Sequence, residues 1–441
     1  MQDSTLITII FIFFYFSWNF YLHSRLVYVN SNDFESEEIL NNFEEAEKRL
    51  NAILHGDHER LNDMWEIVRE SIPKRWTEPI PVLVFACNRP AAIRDHLEKL
   101  IRLRPSKESF PITVSQDCDS SKVADEVKKF GDQVEYIKHT PGINANIKVP
   151  PRFKKKKSYF YISRHYKLAL THMFSKNPYS TVLITEGRIM NSNFNLIIYP
   201  NLSDDLDIAP DFFSYFSSTR HLLEKDPNLY CVSAWNDNGK LEHIDWNANA
   251  TLYRSDFFGG LGWMMARRQW EEFEPTWPAV FWDDWMRDPA QRKGRQCIRP
   301  EISRTGMMIH GKKGVSNGQF YADHLSKIKM SNFSINFEEL NLNYLLPNNF
   351  KNKMDKDLAD AVLVELENIT SSSWKPEVKN LKVKIVYTGK AHFVNITKEL
   401  GIMNEFRSGI PRTAYNGIVT CFFKKTRLFL VPDRSKVPIY D

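Results

Sequence analysis

Residues 181–186 read TVLITE, residues 204–216 read DDLDIAPDFFSYF, and the 17 residues 187–203 (GRIMNSNFNLIIYPNLS) stand between them. Closed up, the two outer pieces form one motif. An apolar strand ends in the carboxylates Glu186, Asp204 and Asp205, and a turn and an aromatic-faced helix follow. An unbroken apolar strand is the pattern of a sheet buried on both faces. Acids at its tip are where an α/β fold can hold a divalent cation against a phosphorylated ligand. Hard cations such as Mg²⁺ and Mn²⁺ take oxygen ligands, and need few from the protein when a diphosphate supplies the rest.

Outward from this motif, short apolar runs at 82–86, 112–115, 134–137, 182–185 and 231–234 alternate with helical patterns at 91–103, 122–130, 159–174 and 211–223. That alternation predicts an α/β fold with a mostly parallel sheet covered on both faces. Ligands then bind outside the carboxyl ends of the strands. The polar residues at those ends are Asn88-Arg89, Asp117 and the Glu186/Asp204-Asp205 group. Neither G-x-G-x-x-G nor a Walker A sequence accompanies them, which argues against a dinucleotide enzyme or a P-loop kinase. G-x-S-x-G, H-E-x-x-H and C-x-x-C are absent too.

A second acidic group lies in Trp282-Asp283-Asp284-Trp285-Met286-Arg287. A carboxylate beside an indole is suited to hold a sugar ring and accept a hydroxyl proton; the plainer alternative is a helix N-cap. The two groups together suggest metal-assisted transfer from a phosphorylated donor by in-line displacement. The four-lysine run 154–157 reads as a solvated loop, with phosphate contact as the alternative.

The remainder sets the context. Residues 5–22 carry no charge and would span about 27 Å as a helix, enough for a membrane anchor after a short tail, residues 1–4. No cleavage-like site follows, which favours an anchor over a signal peptide, although Asp3 before the span and Arg25 after it do not favour a lumenal C-terminus. Residues 23–78 read as a stem whose apolar stripe either self-associates or docks on the globular region. Residues 79–330 read as the catalytic domain, 331–353 as an Asn-rich linker, and 354–441 as a small α+β domain. The net charge of +5 is spread along 441 residues and gives no footprint for nucleic acid. Five sequons, at Asn201, Asn249, Asn332, Asn368 and Asn395, suit a lumenal location. Of the five cysteines, Cys87 and Cys118 end neighbouring strand-like runs and could bridge; free buried thiols are the alternative.

The run from 80 to about 432 closely resembles the N-acetylglucosaminyltransferase I family of inverting GT-A glycosyltransferases. The motifs that carry it are FPITVSQDC, ISRHYKLAL, DDLDIAPDFFSYF, CVSAWNDNGK, FWDDWMRDPAQRKGRQCIRPEISRT, GKKGVSNGQF and SGIPRTAYNGIVT. The resemblance implies a Golgi membrane protein with a lumenal catalytic region, UDP-GlcNAc as donor, an N-glycan mannose as acceptor, and Mn²⁺ as cofactor. It implies Asp205 as the metal ligand, Asp204 on the nucleotide and Glu186 on GlcNAc. Asp283 would be the general base with Trp282 alongside the sugar. Arg89, Asp117 and His165 would contact nucleotide and phosphate, and Val315 and Ser316 would lie in a loop closing over the donor. It also implies disulfides Cys87–Cys118 and Cys231–Cys297, leaving Cys421 free.

In that family the three acids are contiguous. The 17 inserted codons make 51 nucleotides, divisible by three. A retained intron, opening in the Gly187 codon and closing across Ser203–Asp204, is the reading preferred here; a tolerated loop is the alternative, since loop closure is cheap. If the insertion displaces the strand tip, the protein is an impaired enzyme; a related transferase acting on O-linked mannose is the nearer alternative.

Overall fold

The computed structural model describes residues 78–176, 179–186, 206–307, 324–376 and 381–438. The chain divides into two compact units, 1–78 and 79–441. The anchor and stem expected at 5–78 lie outside the described residues, apart from Glu78. No described helix is long and apolar enough to cross a membrane.

The second unit is built on a sheet of β1 (Val82–Ala86), β2 (Ile112–Gln116), β3 (Val134–Lys138), β4 (Thr181–Glu186), β6 (Leu229–Ser233), β7 (Leu252–Ser255), β8 (Trp263–Ala266) and β9 (Gln296–Pro300), with β5 (Leu206–Ile208) and β10 (Thr305–Met307) forming a separate antiparallel pair. The order across the large sheet is β3-β2-β1-β4-β8-β6-β9-β7. β1, β2, β3 and β4 are parallel, as are β6 and β9, whereas β8 and β7 run against their neighbours. The antiparallel strands escaped the sequence pattern because a buried apolar run carries no mark of its direction.

Alternation along β1 explains why its sequence is apolar throughout. Val82, Val84 and Ala86 point into one core with Ile93 and Leu97 of the helix Pro90–Leu103 and Phe212 and Phe216 of the helix Phe212–Lys225. Leu83 and Phe85 point into the other with Tyr166 and Leu170 of the helix Lys157–Lys176 and Trp270 and Trp282. Two layers of helix thus cover both faces.

β11 (Val362–Leu363), β12 (Lys382–Tyr387), β15 (Val419–Phe423) and β16 (Thr426–Pro432) make a second sheet, ordered β11-β12-β16-β15. On β12, Val383, Ile385 and Tyr387 turn inward to meet Phe393, Ile396 and Leu400 of the helix Lys390–Leu400. A two-stranded ribbon of β13 (Phe406–Arg407) and β14 (Ile410–Pro411) lies beside it in sequence. The stretch expected as a linker is packed instead: Phe337, Leu345 and Phe350 are fully buried in the large core. Its many asparagines mask the few apolar residues that anchor it.

Candidate active site

The sheet order reverses between β1 and β4, because β2 and β3 extend one side of β1 and β4 lies on the other. Such a switch point leaves a crevice at the carboxyl ends of the two strands. Register places Phe85 beside Glu186, and Ala86 beside Gln116, so the residues after β1 and β2 leave the sheet at one edge. The Cys87–Cys118 disulfide ties those two exits, with Cα atoms 4.8 Å apart. Gln116 Nε2 donates to the Cys87 carbonyl at 3.0 Å and reinforces the tie.

Asp117 follows directly and is 1% exposed; Arg164 Nη1 donates to its Oδ1 at 2.8 Å. One residue on, His165 is fully buried, its Nε2 2.9 Å from Ser115 Oγ and its ring edge-on to Phe85. Ser115 Oγ also meets His139 Nε2 at 3.0 Å. Burial, with Arg164 and His172 nearby, pushes the His139 imidazole down to about 4, so that ring is neutral at physiological pH. Arg89 immediately precedes the helix Pro90–Leu103, whose first residue, a proline, suits a helix start. The structure therefore gathers Arg89, Asp117 and His165 at the carboxyl edge.

On the other side of the switch point, β4 closes at Glu186 and β5 opens at Leu206. Asp204 and Asp205, Val315 and Ser316, and the side chain of Glu186 lie outside the described residues. The frame that flanks them is described. His96 is buried; its Nε2 lies 2.8 Å from Thr185 Oγ1, and the Leu206 backbone is close enough to favour the charged ring. One imidazole therefore bridges the residue before Glu186 and the residue after Asp205. Burial pushes this ring down to about 4 as well. Lys99, one turn along the same helix, pairs with Asp207. β5 is held from its other side by β10, with Leu206 opposite Met307 and the Ala209 amide donating to the Arg304 carbonyl at 2.9 Å. The segments 187–205 and 308–323 thus begin or end beside one another. Among the described residues, no group of three His, Cys, Asp or Glu could hold a metal ion. The expected donor set at the β4–β5 flank is carboxylate oxygen, which fits a hard divalent cation.

The second acidic group forms a short helix, Trp282–Arg287, with both acids in its first turn. Its N-cap is Phe281, in the left-handed region at φ 53°, so the acids are not the cap. Arg287 Nη1 donates to Asp283 Oδ2 at 2.9 Å and to Asp284 Oδ1 at 3.0 Å, while its Nε donates to the Phe258 carbonyl at 3.2 Å. Asp283 keeps 45% of its side chain exposed. It is oriented on one side and open on the other. Arg407, from β13, comes within 3.8 Å of Asp284.

Trp282 differs from its expected place beside a sugar. Its indole stacks on Tyr166 with ring centroids 4.1 Å apart, lies 5.9 Å from Trp263 and 5.8 Å from Trp277, and is 7% exposed. It serves as a core ring that clamps the Asp283 helix to the helix carrying His165. The half-buried rings at the start of the Asp283 helix are instead Phe281 and Tyr159, with Phe153 packed on Phe281. Sequence reasoning gave no role to these rings, to Arg287 or to His96. A lone histidine on an apolar helical stripe reads as core, and only the fold brings Thr185 and Leu206 to it.

Both expected disulfides are present, with Cys231–Cys297 joining register partners on β6 and β9, and Cys421 is free and buried. Burial pushes the Cys421 thiol up to about 12, which leaves it unreactive.

Comparison with known proteins gives this geometry a family. The chain is 35% identical over 361 residues to the α-1,3-mannosyl-glycoprotein 2-β-N-acetylglucosaminyltransferase of Arabidopsis thaliana, covering 80% of this chain and 74% of that protein. Solved structures resemble it distantly: a Pyrobaculum calidifontis mannosyltransferase in complex with GDP-Man and Mn²⁺ (16% identity, 50% of this chain and 54% of that chain, TM-score 0.30) and S. aureus TarS (10% identity, 52% and 59%, TM-score 0.33). Likenesses that weak carry no argument about this fold. The family model described as GNT-I family matches residues 1–441, and the chain belongs to that family.

Proposed function

We propose that the chain is a glycosyltransferase of N-glycan synthesis that moves GlcNAc from UDP-GlcNAc, in β-1,2 linkage and with inversion, to the α-1,3-linked mannose of a five-mannose N-glycan. The observation that carries this reading is the coupling of two sites by one helix. Lys157–Lys176 presents His165 to the β1–β2 edge and Tyr166 to Trp282, next to Asp283. The proposed donor edge and the short helix that carries Asp283 both pack against this one helix, an arrangement that suits direct displacement.

In the proposed reaction the mannose 2-hydroxyl oxygen bonds to the GlcNAc anomeric carbon as the bond from that carbon to the diphosphate breaks. Asp283 takes the hydroxyl proton, and UDP leaves. Arg287 orients the Asp283 carboxylate by donating to its Oδ2. Asp117, Arg89 and His165 seat the nucleotide, with Asp204 and Glu186 completing the donor contacts and Val315 and Ser316 covering it. Asp205 would hold Mn²⁺, whose chemistry is to stabilise charge on the departing diphosphate. Residues 79–330 would be the GT-A domain of a Golgi protein anchored through 5–22, with its catalytic region lumenal.

The second reading, an enzyme impaired by its insertion, competes with the bridge through His96, which favours a retained frame. Asp283→Asn tests the first reading. Transfer should fall about 10²- to 10⁴-fold, the worth of a general base, with UDP binding unchanged. A variant as active as the parent would remove Asp283 from the mechanism.

A further inference from the structure

The ring expected to hold a sugar is buried, and a separate cluster of partly exposed rings sits at the start of the Asp283 helix. Phe281 lies two residues before Asp283; its ring is 5.0 Å from Tyr159 and 6.1 Å from Phe153. All three are only partly buried. Tyr159 is close enough to feel the charges of Asp283 and Asp284. Phe153 and Tyr159 come from the lysine-rich turn and the start of the helix that also carries His165, so this cluster and the nucleotide-side residues share one support.

Backbone conformation adds an independent sign. Phe281 adopts φ 53° and ψ 48°. A bulky residue with positive φ is a true outlier, and such strain persists where the surroundings need a side chain in a particular place. Here the turn aims the Phe281 ring at Tyr159 and Phe153, away from the core that takes Trp282. What covers it is the ammonium of Lys156, an exposed side chain 5.2 Å from the ring centroid. An exposed lysine over a ring is weakly held and readily displaced.

We propose that Phe281, Tyr159 and Phe153 form a stacking platform for a pyranose ring of the mannose-containing acceptor, placing its hydroxyl at Asp283. The apolar C–H face of a pyranose suits the negative face of an aromatic ring, and partly exposed rings beside a few fixed polar groups are how neutral ligands are oriented. The occupant is neutral oligosaccharide rather than an anion. The acids beside the rings repel negative charge, Lys154 and Lys155 are exposed, and the Lys157 ammonium lies over Tyr161, outside the three rings. This inference rests on the transferase reading above.

The test uses the full chain and a free five-mannose N-glycan as probe. Saturation-transfer NMR reads binding, and steady-state kinetics read acceptor and donor KM separately. Tyr159→Ala and Phe153→Ala should each raise acceptor KM about 5- to 20-fold and weaken the saturation signal, leaving donor KM within twofold. Tyr159→Phe should behave as the parent, because the ring and not the hydroxyl stacks. Phe281→Gly, which relieves the backbone, should lose acceptor affinity while gaining or keeping thermal stability; a simple folding defect would do the reverse. Glycan binding should be insensitive to salt between 50 and 300 mM. Unchanged acceptor KM and saturation signal in the Phe153→Ala, Tyr159→Ala double variant would overturn the platform, as would a parent that gives no saturation signal or steeply salt-dependent binding. A parent that binds glycan through these rings but transfers no sugar would instead overturn the transferase reading and leave the platform standing.

Discussion

The two sides of the switch point do the same mechanical job by unlike means. On the β1–β2 side, a disulfide, the Asp117–Arg164 pair and the Ser115–His165 contact all act within a few residues of the strand ends. On the β4–β5 side, the strand exits are 19 residues apart, and the described residues that join them are the His96 imidazole and the Lys99–Asp207 pair. A covalent tie restrains the unfolded chain as well as the folded one. A buried hydrogen-bonded ring restrains only the folded one. The β4–β5 frame is therefore the softer half.

The largest expected effect is on that softer half. Removing residues 187–203 makes Glu186-Asp204-Asp205 contiguous, and GlcNAc transfer in the presence of Mn²⁺ should rise by about 10²-fold or more, since misplacement by about 1 Å can cost that much. Equal rates with and without the segment would show that the His96 bridge already suffices. A genomic sequence without intron boundary signals at Gly187 and Ser203–Asp204 would dispose of the retained-intron reading independently.

On the stapled side, Cys87→Ser with Cys118→Ser should lower unfolding stability by about 2–5 kcal/mol and raise the donor KM. Loss of stability without any change in KM would mean that the disulfide supports the fold and not the nucleotide edge.

His96→Ala should destabilise by about 2–3 kcal/mol, through a cavity and the lost hydrogen bond to Thr185, and speed hydrogen exchange at the amides of Leu206 to Ile208. Unaltered exchange there would show that β10 alone holds β5. The smallest effect is in pH. His96 folds with its pKa depressed to about 4 from the ordinary value of 6.5, so the unfolded chain takes up the proton first. Its contribution is complete above about pH 6.5 and is lost as pH falls toward 4, to a total on the order of 3 kcal/mol. His139, similarly depressed to about 4, adds in the same direction. Denaturation between pH 7 and 4.5 should thus show stability falling with acid, less steeply in His96→Gln. Parallel curves for the two proteins would mean that the ring is not buried neutral.

How much of this was readable beforehand follows from the range of each interaction. The strands at 82–86 and 181–186 announce themselves because a doubly covered strand is apolar along nearly its whole length, whereas the edge strand at 134–138 shows only an alternating pattern. The helices between them show their apolar stripe. Arg89, Asp117 and Asp283 stand out because each acid or base ends an apolar run or sits among aromatics. Trp282 misleads for the same reason: an indole beside an acid looks like a sugar contact, and nothing local says that Tyr166, Trp263 and Trp277 surround it. Antiparallel β8 was missed because direction in a sheet is a property of the chain's return path and leaves no trace in composition.

By itself, the sequence determined the layered α/β class, the acids at the strand tips, the family and the break in the three-acid motif, since each of these is a pattern of neighbouring residues. Only tertiary structure decided which rings stay half-exposed beside the Asp283 helix, and that one buried histidine meets the strand that ends at the break. Those depend on contacts between residues tens of positions apart, 89 for His96 and Thr185, whose proximity comes from packing helices on a twisted sheet.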